Sequence, residues 1–83
     1  MIIGVPKEIK NNEYRVGLLP VHCEALIEAG HIVLVERRAG EGSGAFDADY
    51  RACGSRIVSS PREIYRRAGM IVKVKEPQRS EIP

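Results

Sequence analysis

Residues 1–6 read MIIGVP and residues 70–77 read MIVKVKEP. Each stretch begins with an apolar run rich in isoleucine and valine, which is typical of a strand that is buried on both faces of a parallel sheet. Proline ends the first run, and charged residues followed by Pro77 end the second, because proline cannot donate to the ladder of a central strand. The two stretches therefore predict the first and last strands of the fold, over residues 1–5 and 70–74.

The chain between these strands alternates helix and strand signals. Pro20 suits a first helical position because it lacks the N–H that would go unpaired there, and Ser60 is expected to cap a later helix through its hydroxyl. Asp47 is expected to cap a short helix between them. Further strands are predicted at 32–35 and 57–58, and helices at 20–29, 47–52 and 61–67. The resulting order β-α-β-α-β-α-β predicts the α/β class, with a parallel sheet and right-handed crossovers.

Length and charge limit the kinds of protein that this chain can be. It has 83 residues, with 13 basic and 11 acidic side chains and a net charge of +2. That balance argues against a dedicated nucleic-acid binder, and no apolar run is long enough to span a membrane. The predicted helices cover the predicted strands thinly. We therefore expect residues 1–83 to be the amino-terminal part of a larger domain, or to be covered by a partner.

The two cysteines and two histidines show no metal-ligand spacing. Cys23 and Cys53 lie among apolar residues of predicted helices, and both are expected to be small buried side chains. His22 and His31 lie beside a helix start and a helix end, where capping or surface roles are expected. We therefore expect no metal site, and the lack of a disulfide framework indicates a reducing cytoplasm.

Two cations, Arg15 and Lys75, follow the first and last predicted strands. In an open α/β sheet, ligands bind beyond the carboxyl ends of the strands. The guanidinium of Arg15 matches a carboxylate in two parallel hydrogen bonds, and a partly desolvated Lys75 would polarise a carbonyl oxygen. From the residues alone, a solvated surface charge remains the alternative for each. Lys73 points to the same face as Lys75, but from inside the predicted strand.

Two other features near these cations have structural explanations. The glycine-rich loop 40–44 reads GEGSG, which lacks the spacing of a dinucleotide fingerprint or a P-loop and carries a glutamate where phosphate would sit. It is therefore expected to be a tight structural loop. Glu8 and Glu13 flank the segment that leads to Arg15. We expect both carboxylates to be solvated, and a salt bridge to Arg15 is the alternative.

Five blocks of the sequence resemble the amino terminus of bacterial alanine dehydrogenases, in that family's order and roughly its spacing. They are MIIGVPKEIKNNEYRVGLLP (1–20), EAGHIVLVE (28–36), AGEGSGAFDADY (39–50), GSRIV (54–58) and MIVKVKEP (70–77). The related NAD(P) transhydrogenase α subunit shares this layout but is expected to end its fourth strand differently. The segment that ends in Lys75 therefore favours alanine dehydrogenase.

The resemblance implies a flavodoxin-like or Rossmann-like substrate domain, of which residues 1–83 would be the amino-terminal part. Enzymes of the family interconvert L-alanine with pyruvate and ammonia, using NAD. The arginine of the family's N-N-E-x-R-V segment corresponds to Arg15, which would bind the substrate carboxylate. The second lysine of its K-V-K-E-P segment corresponds to Lys75, which would hydrogen-bond the substrate beside its carbonyl.

The family's catalytic histidine and aspartate and its glycine-rich NAD fold lie beyond Pro83. The resemblance therefore implies that this chain carries no catalytic and no cofactor-binding residue. NAD would be bound by the domain that this chain lacks, and residues 1–83 alone are expected to be inactive. The assembly that the resemblance implies is a cytoplasmic homohexamer.

One departure and two alternatives accompany the resemblance. Arg37 and Arg38 stand where family members tend to have a small or polar residue followed by glycine, which puts the shape of that loop in doubt. One alternative is the amino-terminal segment of a transhydrogenase α subunit. The other is a truncated, non-catalytic domain that acts as an interaction module, because thin coverage of the sheet predicts exposed apolar surface.

Overall fold

The computed structural model describes residues 1–8 and 15–74. Its four strands are β1 (Ile2–Val5), β2 (Ile32–Glu36), β3 (Arg56–Val58) and β4 (Met70–Ile71). Its α-helices are α1 (Pro20–Glu28), α2 (Asp47–Ala52) and α3 (Pro61–Arg67), and a 3₁₀ turn spans Glu41–Ser43. The predicted alternation of strands and helices is confirmed. The predicted length of the last strand is wrong, because its pairing ends at Ile71 rather than at Val74.

The sheet is parallel throughout and has the strand order β3-β2-β1-β4. The chain steps from β1 to β2 to β3 in one direction and then returns to place β4 on the other side of β1. Ile3 is paired with Val33 of β2 and with Met70 of β4. The strand order therefore reverses at β1, which makes β1 the centre of the topology.

Helices cover both faces of the sheet. The first core packs α1 and α2 on one face, around Val5, Val33, Val35, Cys23 and Tyr50. The second core packs α3 on the opposite face, against Leu34 and Val58. A right-handed crossover requires the helix to change face when the chain changes direction along the sheet, and this arrangement follows that rule. The α/β class is confirmed.

Gly4 lets α3 lie directly on the central strand. A Cβ at this position would be 2.5 Å from Ile64 Cγ2 and 2.9 Å from Ala68 Cβ. Any larger side chain would push the helix away from β1, so the glycine permits the close approach of helix and sheet. Ile64 is fully buried as a result.

Two predicted helix caps have different outcomes. Ser60 Oγ accepts a hydrogen bond from Glu63 N at 3.3 Å, which confirms it as the cap of α3. Asp47 is not the cap of α2, because Phe46 occupies that position and Asp47 is the first helical residue. Asp49 accepts the N–H of Phe46 at 2.8 Å, so the acidic residue that closes this helix end lies two residues after Asp47.

The cysteines are free thiols. Cys23 is buried as predicted, and burial raises the pKa of its thiol, which suits an unreactive core residue. Cys53 was also predicted to be buried, but it is only half-buried, because it follows the last turn of the short helix α2. Within residues 1–8 and 15–74, no helix is long and apolar enough to cross a membrane.

Candidate functional site

The strand order places a crevice at the carboxyl end of β1. In open α/β sheets, ligands bind where the strand order reverses, because the chains that leave the two neighbouring strands diverge there. In this molecule the reversal separates β2 on one side of β1 from β4 on the other. The segments that follow β1, β2 and β4 therefore define the candidate site.

A cavity of about 260 Å³ lies beyond the carboxyl ends of β1 and β2. Three cationic side chains, Lys7, Arg15 and Arg38, line it together with two carboxylates. Among the described residues, the lining consists of Lys7, Glu8, Arg15, Arg38, Ala39, Glu41 and Gly42. Cations outnumber anions in this described part of the wall, so its electrostatics favour a small anion.

Of the two predicted site residues, the structure describes one. Arg15 is exposed and forms part of the cavity wall, at the predicted end of the sheet. Lys75 lies outside the described residues, and Glu13 does as well. Val74, which precedes Lys75 in sequence, is described and lies three residues beyond the end of β4.

The segment that contains Arg15 packs on the segment that leads to Lys75. A Cβ at Gly17 would lie 2.4 Å from the carbonyl oxygen of Val72 and 3.2 Å from Lys73 N. Only glycine permits two main chains to approach so closely. The segment that carries Arg15 is therefore in direct contact with the chain that leaves β4.

Glu8 is buried, and this corrects the prediction of a solvated carboxylate. Its Oε1 lies 3.5 Å from Lys73 Nζ, and its Oε2 accepts a hydrogen bond from Val74 N at 3.2 Å. The side chains of Glu8 and Lys73 are only 3% and 6% exposed. Lys73 was predicted to lie inside β4, but the strand has ended by then and its ammonium turns toward β1. Nothing in the local sequence signals these contacts, because Glu8 lies 65 residues from Lys73 and 66 from Val74.

Tyr50 supports the segment that follows Arg15. Its fully buried phenol donates a hydrogen bond to the carbonyl of Leu18 at 2.8 Å. Burial raises the pKa of Tyr50 to about 12, so the phenol stays a donor at any physiological pH. Sequence reasoning missed this role. The available signal was a polar aromatic residue in a short amphipathic helix, since a buried tyrosine hydroxyl usually has a partner.

The loop that follows β2 is a tight structural loop, as predicted. A Cβ at Gly40 would lie 2.6 Å from both Ala45 O and Tyr50 Oη, so the glycine packs directly on the core. Gly44 has a φ of +79° and ends the 3₁₀ turn. Arg38 also has a positive φ, +68°, which explains why glycine suits this position. Its N–H donates to Asp47 Oδ1 at 2.8 Å, so the loop closes despite the arginine.

The histidines lie away from the cavity. His22 Nδ1 accepts the N–H of Leu19 at 3.0 Å, which confirms a capping role at the start of α1. His31 Nδ1 lies 3.4 Å from the amino terminus. Among residues 1–8 and 15–74, no group of three or more histidine, cysteine, aspartate or glutamate side chains could hold a metal ion.

An open parallel sheet with a cationic cavity beyond the carboxyl ends of β1 and β2 defines the class of this chain, which is that of α/β domains with a candidate ligand site at the carboxyl edge of the sheet. The profile of one family, described as "Alanine dehydrogenase/PNT, N-terminal domain", matches residues 4–83. The chain belongs to this family.

This chain is more similar in sequence to the alanine dehydrogenases described below than to the transhydrogenase. Alanine dehydrogenase of Methanococcus maripaludis is 52% identical over 81 residues, which cover 98% of this chain and 22% of that protein. Alanine dehydrogenase 2 of Staphylococcus aureus is 52% identical over all 83 residues, again 22% of its length. A solved L-alanine dehydrogenase superposes with a TM-score of 0.94 at 52% identity, covering 98% of this chain and 22% of that chain. The transhydrogenase of Sinorhizobium meliloti gives 0.90 at 32% identity, with 98% and 24% covered.

This chain therefore corresponds to the amino-terminal part of an alanine dehydrogenase and spans about a fifth of the length of these relatives. The resemblance drawn from the five sequence blocks is confirmed. The higher identity to alanine dehydrogenases also agrees with the choice made from the segment that ends in Lys75.

Proposed function

We propose that residues 1–83 supply the amino-terminal part of the substrate domain of an NAD-dependent L-alanine dehydrogenase. The reaction converts L-alanine, NAD⁺ and water into pyruvate, ammonium, NADH and a proton. The observation that carries the proposal is the position of Arg15 on the wall of a cationic cavity beyond the carboxyl ends of β1 and β2. Its segment contacts the exit of β4, from which Lys75 follows.

Each cation has a distinct chemical role in this proposal. Arg15 binds the substrate carboxylate through two parallel N–H donors, which fixes the orientation of the three-carbon substrate as well as its position. Lys75 donates a hydrogen bond to the oxygen of the pyruvate carbonyl. This stabilises the negative charge that develops on the oxygen when the carbonyl carbon is attacked. Substrate binding therefore belongs to this chain.

The described residues do not fit NAD. Their glycine-rich loop is packed on Tyr50 through Gly40, and Glu41 gives it a negative charge, so it cannot cradle a pyrophosphate. We propose that NAD and the catalytic acid and base are held by a domain outside this chain. We also propose that the complete enzyme is a cytoplasmic homohexamer. Residues 1–83 on their own would be inactive.

Replacing Arg15 tests the proposal in the complete enzyme. The Arg15→Lys variant keeps the charge but loses the planar fork, so the KM for pyruvate should rise about 10- to 100-fold with little change in the KM for NADH. The measurement is pyruvate- and ammonium-dependent oxidation of NADH. Arg62→Lys, on the exposed side of α3, is the matched control and should leave both constants unchanged. An unchanged pyruvate KM in Arg15→Lys would remove Arg15 from the site.

The likeness to a transhydrogenase supports a second candidate. A transhydrogenase segment would give hydride transfer between two nicotinamide nucleotides and no dependence on pyruvate or ammonium. The same spectrophotometric assay separates the two, because only an alanine dehydrogenase consumes NADH when both small substrates are added.

The exposed apolar side chains Val21 (67%), Phe46 (56%) and Met70 (48%) support a third candidate, a non-catalytic interaction module. Size-exclusion chromatography tests it. A stable monomer that stays monomeric as its concentration rises would count against a module of this kind.

A further inference from the structure

We propose that Glu8 is a positioning residue for substrate binding. Its buried carboxylate joins the exits of β1 and β4 and fixes the main chain at Val74, so that the following residue, Lys75, reaches the substrate carbonyl. This inference rests on the proposed function, because it assumes that Lys75 contacts the substrate. Lys75 itself lies outside the described residues, and the argument concerns the chain immediately before it.

The sheet stops holding β4 shortly before the chain reaches Lys75. The N–H of Val72 donates to Gly4 O at 3.0 Å, which continues the register in which Ile71 faces Gly4. In that parallel register, residue 6, which follows β1, would next donate to the carbonyl of Val72. Residue 6 is a proline and has no N–H, so this ladder bond is not made. The register would then bring the Val74 N–H to the Pro6 carbonyl, but that N–H donates to Glu8 Oε2 instead.

Glu8 provides the connection that the ladder no longer provides. Its Oε2 accepts the N–H of Val74 at 3.2 Å, and its Oε1 lies 3.5 Å from Lys73 Nζ. One carboxylate thereby contacts two consecutive residues, one through the main chain and one through the side chain. These contacts tie the exit of β1 to the exit of β4 at the reversal of the strand order.

Burial makes this connection restrictive. The side chains of Glu8 and Lys73 are 3% and 6% exposed, so water cannot readily replace either partner. A carboxylate removed from water is tolerated only when its oxygens are paired, which disfavours arrangements that pull Val74 away from Glu8. Glu8 also lines the cavity that contains Arg15.

A pair of double variants of the complete enzyme separates positioning from charge. Glu8→Gln with Lys73→Met removes the ion pair but keeps an amide oxygen that can accept the Val74 N–H. Glu8→Met with Lys73→Met removes that acceptor too, and neither variant leaves an isolated charge in the interior. Pyruvate and NADH kinetics are measured for both, with melting temperatures to confirm folding. Val58→Ala, in the core of the distant strand β3, is the control for a loss of stability alone.

We expect the Gln/Met variant to keep a pyruvate KM within about twofold of the parent, and the Met/Met variant to raise it about tenfold at an unchanged NADH KM. Equal pyruvate constants in the two variants would overturn the inference, since the acceptor for Val74 would then be irrelevant. If Met/Met does not fold, Glu8→Asp replaces it, because the shorter side chain cannot reach Val74 N. An unchanged pyruvate KM in Glu8→Asp would also overturn the inference.

The failure of the proposed function has a different signature. If the unsubstituted enzyme neither oxidises NADH with pyruvate and ammonium nor binds pyruvate, then the proposed function is wrong and the inference falls with it. If the unsubstituted enzyme is active and both double variants keep the parent's pyruvate KM, then the proposed function stands and Glu8 has a purely structural role.

Discussion

The Glu8–Lys73 pair and the Glu63–Arg67 pair have similar chemistry in opposite surroundings. Glu63 and Arg67 lie one turn apart on α3 with 2.7 Å between Oε2 and Nη1, and each side chain is at least a third exposed. The Glu8–Lys73 contact is longer, at 3.5 Å, but almost completely buried. The shorter contact is the weaker determinant of structure, because water competes for it and replaces either partner when the other is removed. Burial, rather than distance, decides which pair the fold depends on.

The largest expected effect on stability comes from replacing the cationic partner of the buried pair, and the same replacement in the exposed pair is the comparison. Lys73→Met leaves the Glu8 carboxylate buried without its ammonium partner and should lower the free energy of unfolding by about 3–5 kcal/mol. Arg67→Met removes an exposed i,i+4 contact and should cost at most about 0.5 kcal/mol. Equilibrium urea unfolding at neutral pH measures both. Equal losses in the two variants would mean that burial does not distinguish the pairs.

The next effect tests how rigidly the segment that carries Arg15 packs on the chain that leaves β4. Gly17→Ala places a Cβ 2.4 Å from the carbonyl oxygen of Val72, so one main chain must move. We expect a loss of about 1–3 kcal/mol, because the contact is with backbone rather than with a flexible side-chain end. Gly69→Ala is the control, since its added Cβ would meet nothing closer than 3.6 Å. If Gly17→Ala lowers the free energy of unfolding no more than Gly69→Ala does, then the main chains at Gly17 and Val72 can move apart at little cost.

Tyr50 provides a test of burial through pH. The Tyr50→Phe variant loses the hydrogen bond to Leu18 O and should be about 1 kcal/mol less stable near neutral pH. Unfolding restores the ordinary pKa of 10.0, whereas the folded protein raises it to about 12. Below pH 10 both states keep the proton. Between pH 10 and 12 only the unfolded chain loses it, so the parent loses stability that the phenylalanine variant keeps.

Because each unit of pKa difference corresponds to about 1.4 kcal/mol, the variant should become the more stable protein before pH 12. Urea unfolding of both proteins at several pH values measures the difference between them, in which the titration of all other groups cancels. A difference that stays constant from pH 8 to pH 12 would contradict the raised pKa of Tyr50.

The sequence predicted what local patterns control and missed what the fold alone brings together. The parallel sheet followed from the alternation of apolar runs with helix signals, and the place of Arg15 beyond the carboxyl ends of the strands followed from its position in the sequence after β1. Glu8 was misjudged because a carboxylate in a polar stretch looks solvated until its partner, 65 residues away, is placed beside it. The end of β4 was misplaced because the missing donor belongs to Pro6 on the neighbouring strand. Neither cause is visible in the segment that it affects.

The smallest expected effect concerns the second exposed pair, Arg38 and Glu41, at the mouth of the cavity. Their Nε and Oε2 atoms are 3.9 Å apart on side chains that are 63% and 48% exposed, so this contact adds little stability. Arg38 also has a φ of +68°, which costs a non-glycine residue about 1–2 kcal/mol. Arg38→Gly relieves that strain but gains conformational entropy in the unfolded chain, so we expect a net stabilisation of about 0.5 kcal/mol.

Thermal and urea unfolding of Arg38→Gly measure this gain, and Arg38→Ala is the matched control. The alanine variant removes the same ion pair but keeps the strained backbone, so it should show no increase in stability. A gain in both variants would assign the effect to the side chain instead. Since Arg38 also lines the cavity, the glycine variant of the complete enzyme further tests whether Arg38 contributes to the proposed substrate site. An unchanged pyruvate KM would remove Arg38 from that site.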